Sequence, residues 1–316
     1  RYCSPRSDAT PFDRAELDYW IGPDGVGQYV GGIEHAVLHL LYARFFTKVL
    51  RDLGYLGFDE PFRNLLTQGM VIKDGAKMSK SKGNVVDPDY LVDRYGADTA
   101  RLFCLFAAPP ERDLEWSDQG VEGMSRFLHR LWRLVHGLAP RLAPPGTVVA
   151  GELAPVDRDL HRLVHRTIRR VTEDVTERFH FNTAIAGIME LVTGVGEATE
   201  AGGPAALREA VDVVLRLLAP FVPHIASELW EVAGHASPLD GETWPAPDAR
   251  ALVREEVELP VQVNGKLRGR ITVAADASEA DILAAALAQP PVQAHVAGRV
   301  IRKHVVVPGR LVSFVV

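Results

Sequence analysis

The spacing of apolar residues changes twice along this 316-residue chain, and each change removes most of the folds otherwise open to it. Between about Asp118 and Gly234, hydrophobic side chains recur at helical intervals. Phe127, Leu128, Leu131, Trp132 and Val135 form one stripe, and Leu160, Val164, Ile168, Val171 and Val175 a second. Val211, Val214, Leu215 and Leu218 form part of a third, and Pro220 and Pro223 punctuate the start of a last helix carrying Ile225, Leu229 and Trp230. Pro/Gly-rich stretches at 137–157 and 194–205 read as connectors, so roughly four or five helices bundle around a shared core. After a proline-rich polar linker at about 236–250 the period falls to two. Val257, Leu259, Val261 and Val263 alternate, Asn264-Gly265 signals a tight hairpin, and Ile271 and Val273 return. A helix from Ser278 to Ala288 and apolar strands at 300–301, 305–307 and the C-terminus complete a small α+β domain.

The stretch before about Ser117 mixes both periods. A β-prone run, Gln28-Tyr29-Val30, ends at Gly31-Gly32. A helix from His35 to about Arg51 then carries Val37, Leu40, Leu41, Phe45 and Val49 on one stripe. Leu65-Leu66-Thr67 reads as a second buried strand ending at Gln68-Gly69. Asp87-Pro88 opens a helix that stops at Gly96, and another begins at Asp98. Strand, glycine turn, helix, strand, loop, helix is the order of a doubly wound α/β sheet, of which only about half is present. Tyr2 and Cys3 read as the end of a buried strand with no beginning, and the first residue is Arg1 rather than Met. The chain is therefore expected to be the C-terminal part of something longer. The expected domains are 1–117, 118–250 and 251–316.

Composition narrows the class. The chain is 47% hydrophobic and 24% charged, has no apolar run long enough to span a membrane and opens with no signal-peptide pattern. Cys3 and Cys104 give neither a disulfide framework nor a CxxC pair, so a reducing, cytoplasmic setting is the simplest reading. A net charge of −6 confines any nucleic-acid contact to local basic patches.

Lys77-Met78-Ser79-Lys80-Ser81, followed by Lys82-Gly83-Asn84, is the most chemically informative stretch. Ammonium groups and hydroxyls on a short polar loop suit a polyanion, since Lys meets phosphate as a compact point charge. A solvated basic loop is the competing reading. Gly31-Gly32-Ile33-Glu34-His35 is a glycine turn feeding a helix start, which favours polar or anionic ligands. His35 and His39 read as one helix face. They could be a zinc pair, satisfied core histidines or one wall of a small-molecule pocket at the sheet's C-terminal edge, although no HExxH or third ligand accompanies them. Gln68-Gly69-Met70-Val71 offers main-chain groups to a base edge, or is a simple strand exit. The helix over 158–170 carries Arg158, Arg162, Arg166, Arg169 and Arg170, either as a solvated face or as an RNA surface. From Val257 onward, Lys266, Arg268, Arg270, Arg299, Arg302, Lys303 and Arg310 outnumber Glu258, Asp276, Glu279 and Asp281, leaving this stretch net +3.

These strings together resemble the leucyl-tRNA synthetases, a branch of the class Ia aminoacyl-tRNA synthetases. The resemblance is carried by the segments 28–36, 38–42, 66–71 and the KMSKS loop at 77–81. Tyr95-Gly96-Ala97-Asp98-Thr99-Ala100-Arg101, Leu114-Glu115-Trp116, Ala219-Pro220-Phe221-Val222-Pro223-His224-Ile225 and Val261-Gln262-Val263-Asn264-Gly265-Lys266 follow in the family's order. KMSKS marks only the class, while the strings at 31–35 and 67–71 with the C-terminal module narrow it to the leucine branch. The resemblance implies the second half of a Rossmann-like parallel sheet with a stem-contact segment, a helix-bundle anticodon-binding domain and a small α+β tRNA-binding domain.

The implied reaction is ATP-dependent activation of leucine to leucyl-adenylate and transfer to tRNA-Leu, with ATP and Mg2+ as substrate and no protein-bound metal. By the same carry-over, Lys77 and Lys80 are catalytic and Lys80 makes the main pyrophosphate contact. Gly31, Gly32, Glu34, Gln68, Val71, Lys77, Met78, Ser79, Lys80 and Ser81 bind ATP, while His35 and His39 border the leucine side chain. Arg162, Arg166, Arg169, Lys266, Arg268, Arg302 and Lys303 are the candidate tRNA contacts. The HIGH-type motif and the threonine-rich editing domain of the family have no counterpart in these residues. Only a short linker, Ile72 to Ala76, precedes KMSKS where some members carry an inserted domain. The expectation is a ligase fragment, inactive alone, whose N-terminal half is either a separate chain or the truncated remainder of the same gene. The alternatives are a non-catalytic tRNA-binding module and the isoleucine or valine branch of the same class.

Overall fold

A computed structural model describes residues 2–252, 256–274, 277–307 and 309–316. Arg1 and Asp276, which entered the sequence reading, lie outside them. The chain divides into two compact units, Arg1–Pro247 and Asp248–Val316.

The first unit opens with turns in which Tyr2 is fully exposed, so the buried strand end expected there is not formed. Helix α1 (Arg14–Trp20) follows, with the Asp13 carboxylate accepting from the N–H groups of Ala15 and Glu16. Strand β1 (Tyr29–Gly32) runs parallel to β2 (Leu65–Gln68), pairing Gly31 with Thr67 and Gly32 with Gln68. Between them the chain makes a 3-10 turn at Ile33–His35 before α2 (Leu38–Asp52). The expected helix from His35 therefore begins three residues later.

Residues 72–76, expected as a linker, lie within a hairpin of β3 (Val71–Lys73) and β4 (Ala76–Lys77). Asp74 and Gly75 take φ values of 54° and 70° at its turn. These are the left-handed conformations that a two-residue hairpin turn demands. Strand β5 (Leu114–Glu115) pairs parallel to β3 and is reached through α3 (Pro88–Tyr95) and α4 (Ala97–Phe106). Gly69 links β2 to β3 because nothing larger fits: a Cβ there would lie 2.2 Å from the Arg112 carbonyl oxygen.

The bundle comprises α5 (Asp118–Leu138), α6 (Pro155–Thr176), α7 (Phe181–Ala198), α8 (Pro204–Leu218) and α9 (Pro223–Val232). The three sequence stripes face one core, except that Trp132 of the first is exposed; Leu131, Val164, Ile168, Leu215 and Leu218 are essentially inaccessible. Each such side chain contributes about 1.5–3 kcal/mol through burial. Leu102 and Phe103 of α4 join the same core, so the α/β region and the bundle share hydrophobic packing.

The connector expected at 194–205 is wrong in its first half, because α7 continues to Ala198. Gly194 is there to admit α6, since a Cβ would approach Leu163 Cδ2 to 2.4 Å. Two family strings meet at the α4–α9 junction. Asp98 Oδ2 accepts from the Ile225 N–H at 2.7 Å and its Oδ1 lies 2.8 Å from His224 Nδ1, while Arg101 donates to the carbonyls of Pro220 and Phe221. Asp98 thus caps a helix 127 residues away.

The second unit is a four-stranded sheet in the order β7-β6-β9-β8, formed by β6 (Glu256–Val263), β7 (Lys266–Ala274), β8 (Lys303–Val307) and β9 (Leu311–Val315). Asn264 and Gly265 turn the first hairpin with φ of 49° and 75°. Leu259, Val261, Ile271, Val312 and Phe314 make its core with α10 (Glu279–Ala288) and α11 (Pro290–Val296). The sequence reading passed over α11, which opens on Pro290-Pro291. A proline in the first turn sacrifices no helical hydrogen bond, so the pair starts a helix here.

Candidate nucleotide and RNA site

The parallel pairing of β1 and β2 brings Gly31-Gly32 beside Thr67-Gln68, and each strand ends there. Glu34, in the 3-10 turn, folds back over Gly32, where a Cβ would meet its Oε2 at 2.4 Å. The same carboxylate faces the lysine loop, with Lys77 Nζ 3.6 Å from Glu34 Oε1. The two motifs, more than forty residues apart, therefore lie side by side. Glu34 is held below the usual carboxylate range, first by its own backbone N–H and then, against some desolvation, by Lys77 and His35.

The loop has its own scaffold. The Met78 N–H donates to the Val71 carbonyl, and the Ser79 N–H donates to Asn84 Oδ1 at 2.9 Å. Asn84 Nδ2 points back at the carbonyls of Lys73, Ala76 and Lys77. Ser79 caps a 3-10 turn at Lys80–Lys82, its Oγ accepting from the Lys82 N–H and lying 2.9 Å from Ser81 Oγ. Gly83 exits the turn at φ 67°, where a Cβ is penalised. Met78 is half-buried, while Lys77, Lys80 and Lys82 are exposed. Lysines aimed outward from a pinned turn can follow an anion without disturbing the loop's base. Asn84 is the residue sequence reasoning passed over; its only signal was its place immediately after the loop.

His35 and His39 part company. His35 closes the 3-10 turn, so helical four-residue spacing does not apply to it, and it is exposed. The His39 ring stacks on Tyr29 at 5.2 Å, and Tyr29 stacks on Phe62 at 4.5 Å. Phe62 also helps line a cavity of about 420 Å³ with Val37, Leu40, Leu41 and Leu65. Arg44 and Glu60 stand at the same cavity in a bidentate pair at 2.7 Å. Hydrogen bonding from Arg44, aided by Lys48, lowers the Glu60 carboxyl to about 2. Tyr29 and Phe62 were also missed as site residues, although Tyr29 sits inside a string the sequence reading had singled out. Gln68 is exposed at its strand end, and the Val71 carbonyl is engaged by Met78.

The arginines of α6 divide. Arg166 and Arg170 reach Glu190 of α7 at 3.1 and 3.4 Å, so part of this charge clamps two helices. Arg162 is mostly covered, with its Nη1 3.6 Å from Asp159, whereas Arg169 is exposed. In the second unit, Lys266 and Arg268 lie on edge strand β7, and Arg302 and Lys303 lie at the start of the opposite edge, β8. Register places them at one end of the sheet: Lys266 pairs with Val263, Val263 with Phe314, and Lys303 with Val315. Four strands set the two edges on the order of 14 Å apart.

Comparison with known proteins gives this geometry a context. Residues 45–117 match the family described as tRNA synthetases class I (I, L, M and V), and residues 157–284 match the anticodon-binding domain of tRNA ligase. A leucine–tRNA ligase of Citrifermentans bemidjiense is 60% identical over all of this chain and 38% of its own length. One from Geotalea daltonii is 57% identical with the same coverage. The chain thus spans well under half the length of the curated relatives it matches. Among solved structures, Agrobacterium radiobacter K84 AgnB2 LeuRS, in a ternary complex with tRNA and LeuAMS, superposes with a TM-score of 0.78. It is 41% identical and covers 92% of this chain and 37% of its own. A methionyl-tRNA synthetase of Mycobacterium tuberculosis, at 20% identity and TM-score 0.53 over 71% of this chain and 46% of its own, shares the fold.

Proposed function

We propose, because all of this chain aligns with 38% of a leucine–tRNA ligase at 60% identity, that it is the loop-bearing and tRNA-contacting portion of such a ligase. It supports ATP-dependent formation of leucyl-adenylate and transfer of leucine to tRNA-Leu, and it needs the rest of the catalytic sheet to do so. The observation that carries this reading is the meeting of Lys77 with Glu34 beside paired strand ends.

The residues divide the work as follows. Gly31 and Gly32 let a nucleotide approach the backbone, and Gln68 and Val71 hold its base. Glu34 keeps Lys77 extended over the glycine rim until a triphosphate competes for it. An exposed pair of this kind is worth at most about 1 kcal/mol, so a polyanion displaces it readily. As leucine's carboxylate attacks the α-phosphate, negative charge grows on the departing pyrophosphate. Lys77 and Lys80 then stabilise the transition state more than the ground state. Met78, Ser79 and Ser81 shape the loop that delivers those lysines. ATP brings its Mg2+ as part of the substrate. His39, stacked on Tyr29, forms one wall for the leucine side chain, with His35 at its mouth. Arg162, Arg166, Arg169, Lys266, Arg268, Arg302 and Lys303 are the proposed tRNA contacts, on the bundle and on one end of the terminal sheet. The three regions 1–117, 118–250 and 251–316 are proposed as functional segments: loop-bearing sheet, anticodon reader and tRNA-binding module.

The requirement for more sheet is supported by α2. Val37, Leu38, Leu41, Tyr42, Phe45 and Phe46 are each at least 60% exposed, far more apolar surface than one free helix face ordinarily shows. Leucine-dependent ATP–pyrophosphate exchange tests the reading. The chain alone is expected to be silent, and adding the complementary portion of a full-length relative is expected to restore exchange. Turnover by the chain alone overturns the fragment reading; a stable complex that never exchanges overturns the ligase reading.

A further inference from the structure

Inside the bundle, remote from the lysine loop in sequence, three ligand-type side chains converge. His161 and His165 lie one turn apart on α6, and Glu209 reaches them from α8. His161 Nδ1 is 2.5 Å from Glu209 Oε2, and His165 Nε2 is 3.2 Å from Oε1. The three donor atoms all lie within 4.8 Å of one another. The side chains are 18%, 10% and 19% exposed, so the cluster is shielded but open to a small ion. The imidazoles meet edge to face, with centroids 4.5 Å apart. Among the described residues, the ion pairs of Glu209 are to these two histidines, with no lysine or arginine among them.

A hydrogen-bonded triad would tie α6 to α8 and nothing more. The donor set argues for more than that. Two imidazoles spaced four apart on a helix, with a carboxylate facing both, is the ligand chemistry of zinc. A carboxylate largely withdrawn from water between two imidazoles is a place where a bound cation would meet ready ligands. Zn–N and Zn–O bonds of about 2.0–2.2 Å put tetrahedral ligand atoms roughly 3.3 Å apart, close to the His165–Glu209 separation. The His161–Glu209 contact has to open by less than about 1 Å, within reach of one carboxylate rotation.

We propose that His161, His165 and Glu209 form a binding site for a divalent transition-metal ion of the zinc type, completed by water and stapling α6 to α8. The site is independent of aminoacylation, and its test does not use activity. The whole chain, stripped with a chelator and exchanged into zinc-free buffer, is titrated with zinc chloride and, separately, with cobalt chloride. One equivalent of zinc is expected to bind and to raise Tm. Cobalt is expected to give the intense visible bands of a four-coordinate site without a thiolate charge-transfer band. His161→Gln and Glu209→Gln are each expected to weaken zinc binding by more than the roughly 10–100-fold that loss of an outer-shell partner costs. His35→Gln is expected to leave binding unchanged. Wild-type chain that takes up no stoichiometric zinc, or Glu209→Gln chain that is folded by circular dichroism and binds zinc as well as wild type, overturns the proposal. The cobalt spectrum of the wild type decides the matter should both variants fail to fold.

Discussion

Lys77 rests on the Glu34 carboxylate, and the phosphate contacts proposed for its loop can be tested residue by residue. In a complex with the N-terminal portion of a full-length relative, Lys80→Ala is expected to cut leucine-dependent pyrophosphate exchange by about 10²–10³. Glu34→Gln should do less harm, because Gln removes the resting partner of Lys77 while keeping a polar group over Gly32. Asn84→Ala should raise KM for ATP and slow exchange by roughly tenfold, since it releases Ser79 from a polar anchor worth about 1 kcal/mol; steady-state kinetics at varied ATP measure both. Glu60 offers a pH reading. Its carboxyl falls from 4.5 to about 2 beside Arg44. A depressed carboxylate contributes stability above the unfolded value, and that contribution is lost as pH falls from about 4.5 through about 2. An NMR titration of the Glu60 side chain is expected to find its midpoint near the lower end of that window, and Arg44→Ala should return it to the ordinary range. The loop and its glycines were legible as residues. Asn84 was not, because nothing in the string says that its amide turns back onto three carbonyls.

Among the elements, α7 shows why glycine is ambiguous in a linear reading. Gly194 and Gly196 look alike in sequence and both suggested a connector. Packing separates them: a Cβ at 194 would collide with Leu163, while one at 196 meets nothing within 4 Å. Gly194→Ala must push aside the terminal methyl of Leu163 and is therefore expected to be less stable than Gly196→Ala. Gly196→Ala should be neutral or stabilise by up to about 1 kcal/mol through helix propensity. Urea denaturation of the two variants compares them directly. The α4–α9 junction makes a similar point. Asp98→Ala removes a cap from α9 and is expected to cost about 0.5–2 kcal/mol in the same assay, with α9 amides exchanging faster. The periodic stripes of α5, α6 and α8 needed no such help, because their spacing alone dictates which face is buried.

For the molecule as a whole, the exposed apolar face of α2 dominates expectation. Phe45→Ser is expected to weaken association with the complementary portion of the catalytic sheet while leaving the chain's own Tm within about 1 °C, because surface substitutions rarely exceed about 0.5 kcal/mol. Pull-down with that portion and a thermal scan of the chain alone check the two halves of the statement. A large fall in Tm would mean that Phe45 is already part of this chain's own core.

Periodicity, caps and turn residues located most helices and strands, because these are short-range preferences that each segment expresses unaided, although the β3–β4 hairpin and α11 escaped them. They marked the bundle, the Asn264-Gly265 hairpin and the Asp87-Pro88 helix start directly. Only the tertiary structure decided which motifs touch. It set Lys77 on Glu34, Asp98 under α9, Gly194 against Leu163 and two histidines around Glu209. Such contacts depend on how elements cross, and the crossing is chosen by the packing of many side chains at once, a quantity no single stretch of sequence contains.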